Sequence, residues 1–318
     1  MLCTLAAFPS VVNGGQFKKP SFRWSDIEYV YAFGDSYTFV QGTLGHANFS
    51  FIGDAFNLPF TPKQLLSNQI IPKNTSSDGS NWIEFLTGCL GGHPSSCRRQ
   101  LWDFAFAGSD IDANLLPLHH NFTVPLVDQV KQFVTYAKDV IPHPAKKTLT
   151  AWWIGINDTG DSSNNASITD WNAFWDAEMT SYFNAVQSAF DNGLRGAHLF
   201  INVPPEERNP ASLGKNNTAY TAHIQQYNSL LADYVANFAK KNPSDNVLTF
   251  DAHTWFNKIL DDASAYGFTN TTGFCECKDS SYFWFNTGHP TEHVHRLLAQ
   301  AIEQHLEAAS IKRTSLSV

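Results

Sequence analysis

The sequence predicts an α/β fold in which helices cover both faces of a parallel β-sheet. Short apolar runs alternate with longer segments that have apolar residues at three- and four-residue spacing. A glycine or a polar residue follows each short run at or shortly after its end. With 318 residues, of which 43% are hydrophobic, the chain can bury a large core as one sizeable domain or two small ones. No linker-like segment divides it.

Five apolar runs have the length and composition of buried strands. They are residues 28–33, 101–105, 148–154, 197–202 and 246–250. Helical periodicity predicts helices at residues 81–86, 126–138, 169–191, 218–241 and 292–307. Residues 40–80 are rich in Gly, Asn, Ser and Pro with little periodicity. They predict a long excursion at the carboxyl edge of the sheet, where open α/β sheets bind their ligands.

Charge and hydropathy exclude two classes of partner. The net charge is −8, and the 21 Lys and Arg residues are scattered singly or in adjacent pairs, so no basic stripe is available for nucleic acid or anionic membranes. No apolar run reaches the roughly 18 residues of a membrane-spanning helix. We therefore expect no nucleic-acid or membrane partner, and the sequence leaves the oligomeric state open.

Glycosylation sequons predict a secretory route. Asn-x-Ser/Thr occurs at Asn48, Asn74, Asn121, Asn157, Asn165, Asn216 and Asn270. If Asn157 lies in an enclosed catalytic site, we expect it to stay unmodified. The first ten residues are apolar but lack a basic region. Residues 1–20 are therefore expected to be a signal-peptide remnant or an N-terminal extension of the mature protein.

The cysteines point to the same oxidising compartment. Cys89 with Cys97, and Cys275 with Cys277, have disulfide-like spacing, although four cysteines allow three pairings. Zinc is the rival interpretation, but neither spacing matches the usual ligand patterns. We expect no metal and no other cofactor.

Candidate catalytic residues follow the predicted strands. Ser36 comes after the first strand, Gly108 after the second and Asn157 after the third, while His289 precedes the last helix. Acyl transfer needs a hydroxyl nucleophile, an imidazole base and converging N–H donors for the oxyanion. Taken alone, Ser36 is an ordinary turn serine and His289 a helix cap, but together they predict a serine hydrolase. His119, His120 and His253 have no spaced metal partners and are interpreted as structural.

This ordered set resembles the SGNH (GDSL) hydrolases over residues of about 30 to 300. The matching motifs are Gly34-Asp35-Ser36, Gly108, Gly155-x-Asn157-Asp158 and His289-Pro290-Thr291. Within that superfamily the chain is most similar to the secreted fungal acetylesterases of carbohydrate esterase family sixteen, through Phe33 to Tyr37, Asn81-Trp82 and His289 to His295. The resemblance implies a flavodoxin-like three-layer α/β/α sandwich, with one hydrolase domain over residues 21–310.

The resemblance also implies residue roles. Ser36 is expected to be the nucleophile and His289 the general base. The oxyanion hole is expected to consist of the Ser36 and Gly108 backbone N–H groups and the Asn157 side chain.

One position departs from the family pattern. The family usually carries Asp three residues before its histidine, and here that residue is Asn286. An amide orients an imidazole but supplies no countercharge. Either Asn286 or a backbone carbonyl holds His289, or another carboxylate such as Asp279 does, or activity is much reduced. We favour Asn286.

The substrate is predicted from the resemblance and from two aromatic residues. The resemblance implies a short acyl group, acetyl above all, on a small ester or oligosaccharide such as a xylo-oligosaccharide. Tyr37 and Trp82 are the best candidates for stacking on a sugar ring in the cleft. The alternatives are a short-chain lipid or phospholipid esterase of the same fold, and a non-catalytic carbohydrate-binding relative suggested by Asn286.

Overall fold

A sheet of five parallel strands forms the middle of the fold. The computed structural model describes residues 22–53, 60–77, 79–163 and 165–314; residues 1–20, where a leader is expected, lie outside them. The strands are β1 (Tyr29–Gly34), β2 (Gln100–Asp103), β3 (Thr148–Trp153), β4 (Ala197–Ile201) and β5 (Asn246–Phe250). All five predicted strands are confirmed to within two residues at each end. Their spatial order, β2-β1-β3-β4-β5, is the flavodoxin-like order.

Helices connect the strands. They are α1 (Pro62–Ser67), α2 (Trp82–Thr87), α3 (Leu126–Gln132), α4 (Ile156–Ser162), α5 (Trp171–Asp191), α6 (Thr218–Lys241), α7 (Ala252–Asp261) and α8 (Glu292–Thr314). A π-helical turn, Phe133–Ala137, continues α3. Short 3₁₀ turns lie at Trp24–Asp26, Pro94–Ser96, Ala145–Lys147, Glu206–Arg208 and Ala263–Tyr266. The five predicted helices, which correspond to α2, α3, α5, α6 and α8, are confirmed.

The sequence did not predict α1, α4, α7 or the two-stranded sheet of β6 (Asn270–Phe274) and β7 (Tyr282–Trp284). Helix α4 is only seven residues long and contains Asn, Asp, Gly and Ser, which have low helix propensity. Helix α1 begins at a capping box in which Thr61 and Gln64 satisfy each other's backbone N–H groups. Such short helices lack the several turns over which apolar periodicity becomes visible.

The central strand β3 shows why the fold has three layers. Trp152 stacks on Phe33 with ring centroids 4.5 Å apart, on the face that α3, α5 and α6 cover. Trp153 points to the opposite face, where its ring meets Trp82 of α2 at 5.7 Å. Helix α2 in turn packs against α8. Both tryptophans are fully buried, as expected of a strand with helices on each side.

The strand order fixes where a ligand can bind. Strands β1 and β3 are neighbours, and the chain continues from β1 to β2 on one side and from β3 to β4 on the other. A crevice forms outside the carboxyl ends of the strands at such a switch point. Ser36 follows β1 and Gly155 follows β3, so both lie at this crevice.

Two disulfides join residues that are close in the sequence. Cys89 is paired with Cys97, with a Cα–Cα distance of 5.4 Å, and Cys275 with Cys277, at 5.1 Å. The first links the end of α2 to the turn before β2, and the second lies between β6 and β7. Among the helices of the described residues, none has the length and hydropathy needed to cross a bilayer.

Candidate active site

Ser36 lies in a tight turn at the end of β1. The Asp35 side chain accepts a hydrogen bond from the Tyr37 N–H at 2.9 Å. The Asp35 backbone carbonyl oxygen accepts from the N–H groups of Thr38 and Phe39 at 3.1 and 3.0 Å. These bonds hold the turn so that the Ser36 hydroxyl opens into a cleft of about 510 Å³. Ser36 is 9% exposed, so its hydroxyl is accessible only through this cleft.

His289 reaches Ser36 from the loop between β7 and α8. Its Nε2 atom lies 2.7 Å from Ser36 Oγ, although the two residues are 253 positions apart in the sequence. The loop is short and closed by its own backbone, because Phe285 N–H donates to the His289 carbonyl oxygen at 2.8 Å. The predicted pairing of hydroxyl and imidazole therefore has hydrogen-bonding geometry.

Asn286 fixes the tautomer of His289. Its Oδ1 atom lies 3.0 Å from the Gly288 backbone N, 2.9 Å from the His289 backbone N and 2.9 Å from His289 Nδ1. Backbone N–H groups only donate, so the Asn286 atom that faces them must be the amide oxygen. That oxygen then accepts from Nδ1–H as well. The proton-free Nε2 consequently faces the Ser36 hydroxyl, as a general base requires.

The partner of the His289 imidazole is a neutral amide and supplies no countercharge. Burial in the cleft lowers the pKa of His289 to about 4, because the imidazolium loses hydration that Asn286 cannot replace with charge. Asp279, the alternative partner, is exposed and accepts instead from the Ser281 N–H at 2.9 Å. Of the two side chains considered for orienting His289, the structure brings Asn286 to the imidazole and not Asp279.

Two glycines shape the oxyanion side of the cleft. Gly108 has φ +80°, a conformation that favours glycine, and a Cβ there would lie 3.3 Å from the His119 ring. Gly155 has φ +114°, and a Cβ would collide with Tyr227. Within the described chain, the N–H groups of Ser36 and Gly108 donate to no protein acceptor, and both residues line the cleft. Two backbone donors without a protein acceptor thus belong to residues that line the same cleft as the Ser36 hydroxyl.

Asn157 lines the same cleft from α4. Its Nδ2 donates to the Ser109 carbonyl oxygen at 2.8 Å, which leaves the second hydrogen of the amide for a ligand. The neighbouring Asp158 accepts from the Ile111 N–H at 2.8 Å. These two bonds tie α4 to the loop that carries Gly108, so the structure brings the three predicted oxyanion-hole residues together.

Asn157→Ala is expected to lower kcat by about 10²- to 10³-fold while changing KM little, because an oxyanion donor acts mainly in the transition state. Steady-state kinetics on a soluble acetate ester measure the effect. An increase in KM with kcat retained would instead assign Asn157 to ground-state binding.

Tyr37 lines the cleft as predicted, but neither its ring nor that of Trp82 is open for the predicted stacking on a sugar. Trp82 is fully buried between α2 and the sheet, and Tyr37 is 1% exposed. Tyr37 packs on Trp153 with centroids 5.4 Å apart, so neither face of its ring is open to a sugar. Periodicity marked Trp82 as part of a helix but did not show that its side chain points towards the sheet.

The Tyr37 hydroxyl instead holds the histidine loop. It lies 2.9 Å from Glu206 Oε1 and 2.7 Å from the carbonyl oxygen of Gly288, the neighbour of His289. A phenol donates one hydrogen and a carbonyl only accepts. Both contacts are hydrogen bonds only when protonated Glu206 donates to Tyr37 and Tyr37 donates to Gly288. Consistent with this, burial raises the pKa of Glu206 to about 7.

Glu206→Gln is expected to remove a pH dependence of stability. Because the pKa is raised from 4.5 to about 7, the protonated carboxyl stabilises the fold fully below pH 4.5, and this stabilisation is lost as the pH rises through about 7. The full change is up to about 3 kcal/mol. Gln reproduces the protonated form, with Nε2 donating to Tyr37 and Oε1 accepting from Asn209. Thermal unfolding from pH 4 to pH 9 should show the difference between wild type and variant growing with pH, and a constant difference would contradict the assignment.

Several residues that line the cleft were not predicted to belong to the site. They include Asn48, Phe49, Ser76, His119, His120, Asp161, Glu206 and Asn209. The first three come from the predicted excursion at the carboxyl edge, which was the available signal. His119 and His120, for which the sequence predicts a structural role, are exposed and line the cleft, so a ligand can also reach them.

The chain is similar to known esterases. The family described as GDSL-like Lipase/Acylhydrolase matches residues 30–302. An acetylesterase of Thermothelomyces thermophilus is 29% identical over 321 residues, covering 94% of this chain and 95% of the relative. An acetylesterase of Hypocrea jecorina is 22% identical over 349 residues, covering 94% of each chain. A solved structure from Parabacteroides merdae, assigned as a GDSL-like lipase, matches with a TM-score of 0.50 and 12% identity. The match covers 92% of this chain and 99% of that one, and it is evidence for the fold alone. The family match and the two relatives confirm the resemblance drawn from the motifs.

Proposed function

Because the chain belongs to the family of GDSL-like lipases and acylhydrolases and is a carboxylic ester hydrolase, we propose that it is a serine esterase that removes acetyl groups from carbohydrates such as xylo-oligosaccharides. One observation carries the proposal. Asn286, His289 and Ser36 form a hydrogen-bonded series that ends at a cleft lined mostly by polar side chains.

Acylation begins at the Ser36 hydroxyl. As Oγ attacks the acyl carbon, His289 Nε2 takes the hydroxyl proton, and the carbonyl oxygen becomes an oxyanion. The N–H groups of Ser36 and Gly108 and the free N–H of Asn157 stabilise that charge. The imidazolium then donates its proton to the departing sugar oxygen as the carbon–oxygen bond breaks. An acetyl group remains on Ser36.

Deacylation repeats the sequence with water. His289 Nε2 removes a proton from a water molecule as the water oxygen attacks the acetyl carbon, and the same donors stabilise the second oxyanion. The proton returns to Ser36 Oγ when the carbon–oxygen bond to serine breaks. Acetic acid leaves, and His289 and Ser36 regain their starting protonation states.

Two features favour a short acyl group. Polar side chains outnumber the apolar ones, Phe49, Ala107, Ile156 and Ala211, in the cleft lining, so a long acyl chain would lie partly against polar groups. The two curated relatives are acetylesterases. Short-chain lipid esters remain the second substrate class to test.

We further propose that the enzyme acts outside the cell as one hydrolase domain over residues 21–310. The two disulfides and the sequons support extracellular action. The main hydrophobic cluster draws residues from Phe22 to Leu306, which supports one domain.

The deciding experiment compares substrates on the wild-type protein. Release of the free acid is measured for each ester: acetate from an acetylated xylo-oligosaccharide and from 4-nitrophenyl acetate, octanoate from 4-nitrophenyl octanoate, and fatty acid from a short-chain phospholipid. Rapidly quenched samples are digested for mass spectrometry. We expect the two acetates to be preferred and an acetyl group to appear on the Ser36 peptide. Preference for octanoate or phospholipid would favour the lipid alternative. Absence of turnover on every ester would favour a non-catalytic carbohydrate-binding protein.

A further inference from the structure

One wall of the cleft has a chemistry that ester cleavage does not use. It consists of Phe49, His119, His120 and Asp161, which line the cleft together with Ser36. We propose that this wall is a binding subsite for the sugar ring that carries the ester. The inference rests on the proposed function and assigns a ligand to residues that the reaction itself leaves without a role.

The aromatic part of the wall is rigid. The Phe49 ring meets Phe122 edge-on at 4.8 Å and His120 edge-on at 5.2 Å, and His120 stacks on Phe122 at 5.1 Å. Phe49 is half-buried and His120 is exposed, so ring surface stays available to a ligand. Rings already held by their neighbours lose little conformational entropy when a ligand binds.

The polar part lies beside it. His119 Nδ1 and Asp161 Oδ2 are 3.0 Å apart, and their side chains are 41% and 35% exposed. A carboxylate has about four acceptor positions, so Asp161 keeps lone pairs for hydroxyl groups after it binds His119. The two rings of His119 and His120 are in contact, with centroids 5.0 Å apart, and make the polar and aromatic parts continuous.

Backbone contacts fix the wall relative to the reacting centre. The Phe49 carbonyl oxygen accepts from the Ala107 N–H at 2.9 Å, directly before Gly108. The His119 ring lies against Gly108, and Asp161 belongs to α4, the helix that carries Asn157. The wall therefore adjoins both oxyanion-hole elements and lines the same cleft as Ser36 and His289, within which the alcohol part of a bound ester must also lie.

The combination fits a pyranose better than an acyl chain. A sugar ring presents apolar C–H faces, which cover aromatic surface, and hydroxyl groups around its edge, which bind carboxylate and imidazole. An acyl chain next to the Asp161 carboxylate would desolvate the lone pairs that His119 does not satisfy and offer no hydrogen bond in return. The wall accordingly predicts a preference for carbohydrate esters over simple alkyl esters of the same acid.

The test compares acetate esters of two different alcohols, a sugar and ethanol. kcat/KM is measured for acetylated xylobiose and for ethyl acetate, which has no ring to stack, in wild type, Phe49→Leu and Asp161→Asn. Phe274→Leu and Asp128→Asn are matched controls, because Phe274 is an aromatic residue 45% exposed and Asp128 an ion-paired carboxylate, both outside the cleft lining. Thermal unfolding verifies that each variant is folded.

Each cleft variant is expected to lower the ratio of sugar-ester to ethyl-acetate kcat/KM by about 5- to 10-fold, mainly through KM, as loss of one aromatic or charge-assisted contact predicts. The controls should keep the wild-type ratio. Equal losses on both substrates, or no loss, would overturn the subsite. A wild-type enzyme that cleaves ethyl acetate at least as well as the sugar ester would overturn the subsite but leave the serine esterase intact. A wild-type protein that cleaves neither would overturn the proposed function itself.

Discussion

Ser36→Ala is expected to lower kcat for ester hydrolysis by about 10⁶-fold, to a level set by the remaining oxyanion donors. The reason is that no other hydroxyl lies within hydrogen-bond reach of His289 Nε2 among the described residues. Removing Oγ removes the atom that becomes acylated, and binding of the ester is left in place. The KM of the residual activity should therefore stay close to the wild-type value.

The measurement is acetate release under saturating substrate, with active-site titration to correct for traces of wild type. Ser25→Ala serves as the control, because Ser25 is an exposed serine remote from the cleft lining. The double variant Ser36→Ala/His289→Gln should be no slower than Ser36→Ala, since the two groups act as one unit. Ser36→Ala turnover above a hundredth of the wild-type rate, or further loss in the double variant, would assign the nucleophile elsewhere.

The part of the site at the strand ends was predictable because parallel strands share one carboxyl edge. Ser36, Gly108 and Asn157 follow three predicted strands, so their proximity follows from the topology alone. His289 is different, since no strand leads into it directly. Its motif identified His289 as a candidate base, but only the fold shows that its loop lies next to the turn after β1.

Side-chain direction and loop contacts could not be predicted in the same way. Trp82 has the composition of a cleft aromatic, but the apolar face of α2 buries it against Trp153. Phe49 and His119 form one wall although they lie 70 positions apart in the sequence, in segments without periodicity. Their contact depends on how two irregular loops fold over the sheet edge, which no local pattern encodes.

Asn286→Ala is expected to lower kcat/KM by about 10⁴-fold, the scale seen when a histidine base loses control of its tautomer. The substitution removes one oxygen that accepts from Gly288 N–H, His289 N–H and His289 Nδ1–H. The imidazole is then free to hold its proton on Nε2, facing Ser36, where it cannot act as a base. Kinetics on a soluble acetate ester, with unfolding curves to confirm the fold, measure the loss. An unchanged kcat/KM would leave Asn286 without a role.

Asn286→Asp separates orientation from charge, because a carboxylate can accept the same three hydrogen bonds and adds a countercharge. In the wild type His289 must be neutral to act, and its pKa of about 4 predicts that kcat/KM falls only as the pH drops through about 4. A carboxylate 2.9 Å from Nδ1 favours the imidazolium. It should move this acid limb upward by about 1 to 3 pH units.

The same charge should raise the plateau above the acid limb. The imidazolium formed during attack would gain a partner that Asn286 does not supply, and a more basic Nε2 accepts the Ser36 proton more readily. For a Brønsted dependence of about one half, the plateau kcat/KM should rise by about 3- to 30-fold. The pH profile of kcat/KM reports the free enzyme, so it measures both effects at once. An acid limb that stays near pH 4 in the aspartate variant would mean that this limb does not report His289, and a lower plateau would mean that this site works better with a neutral partner.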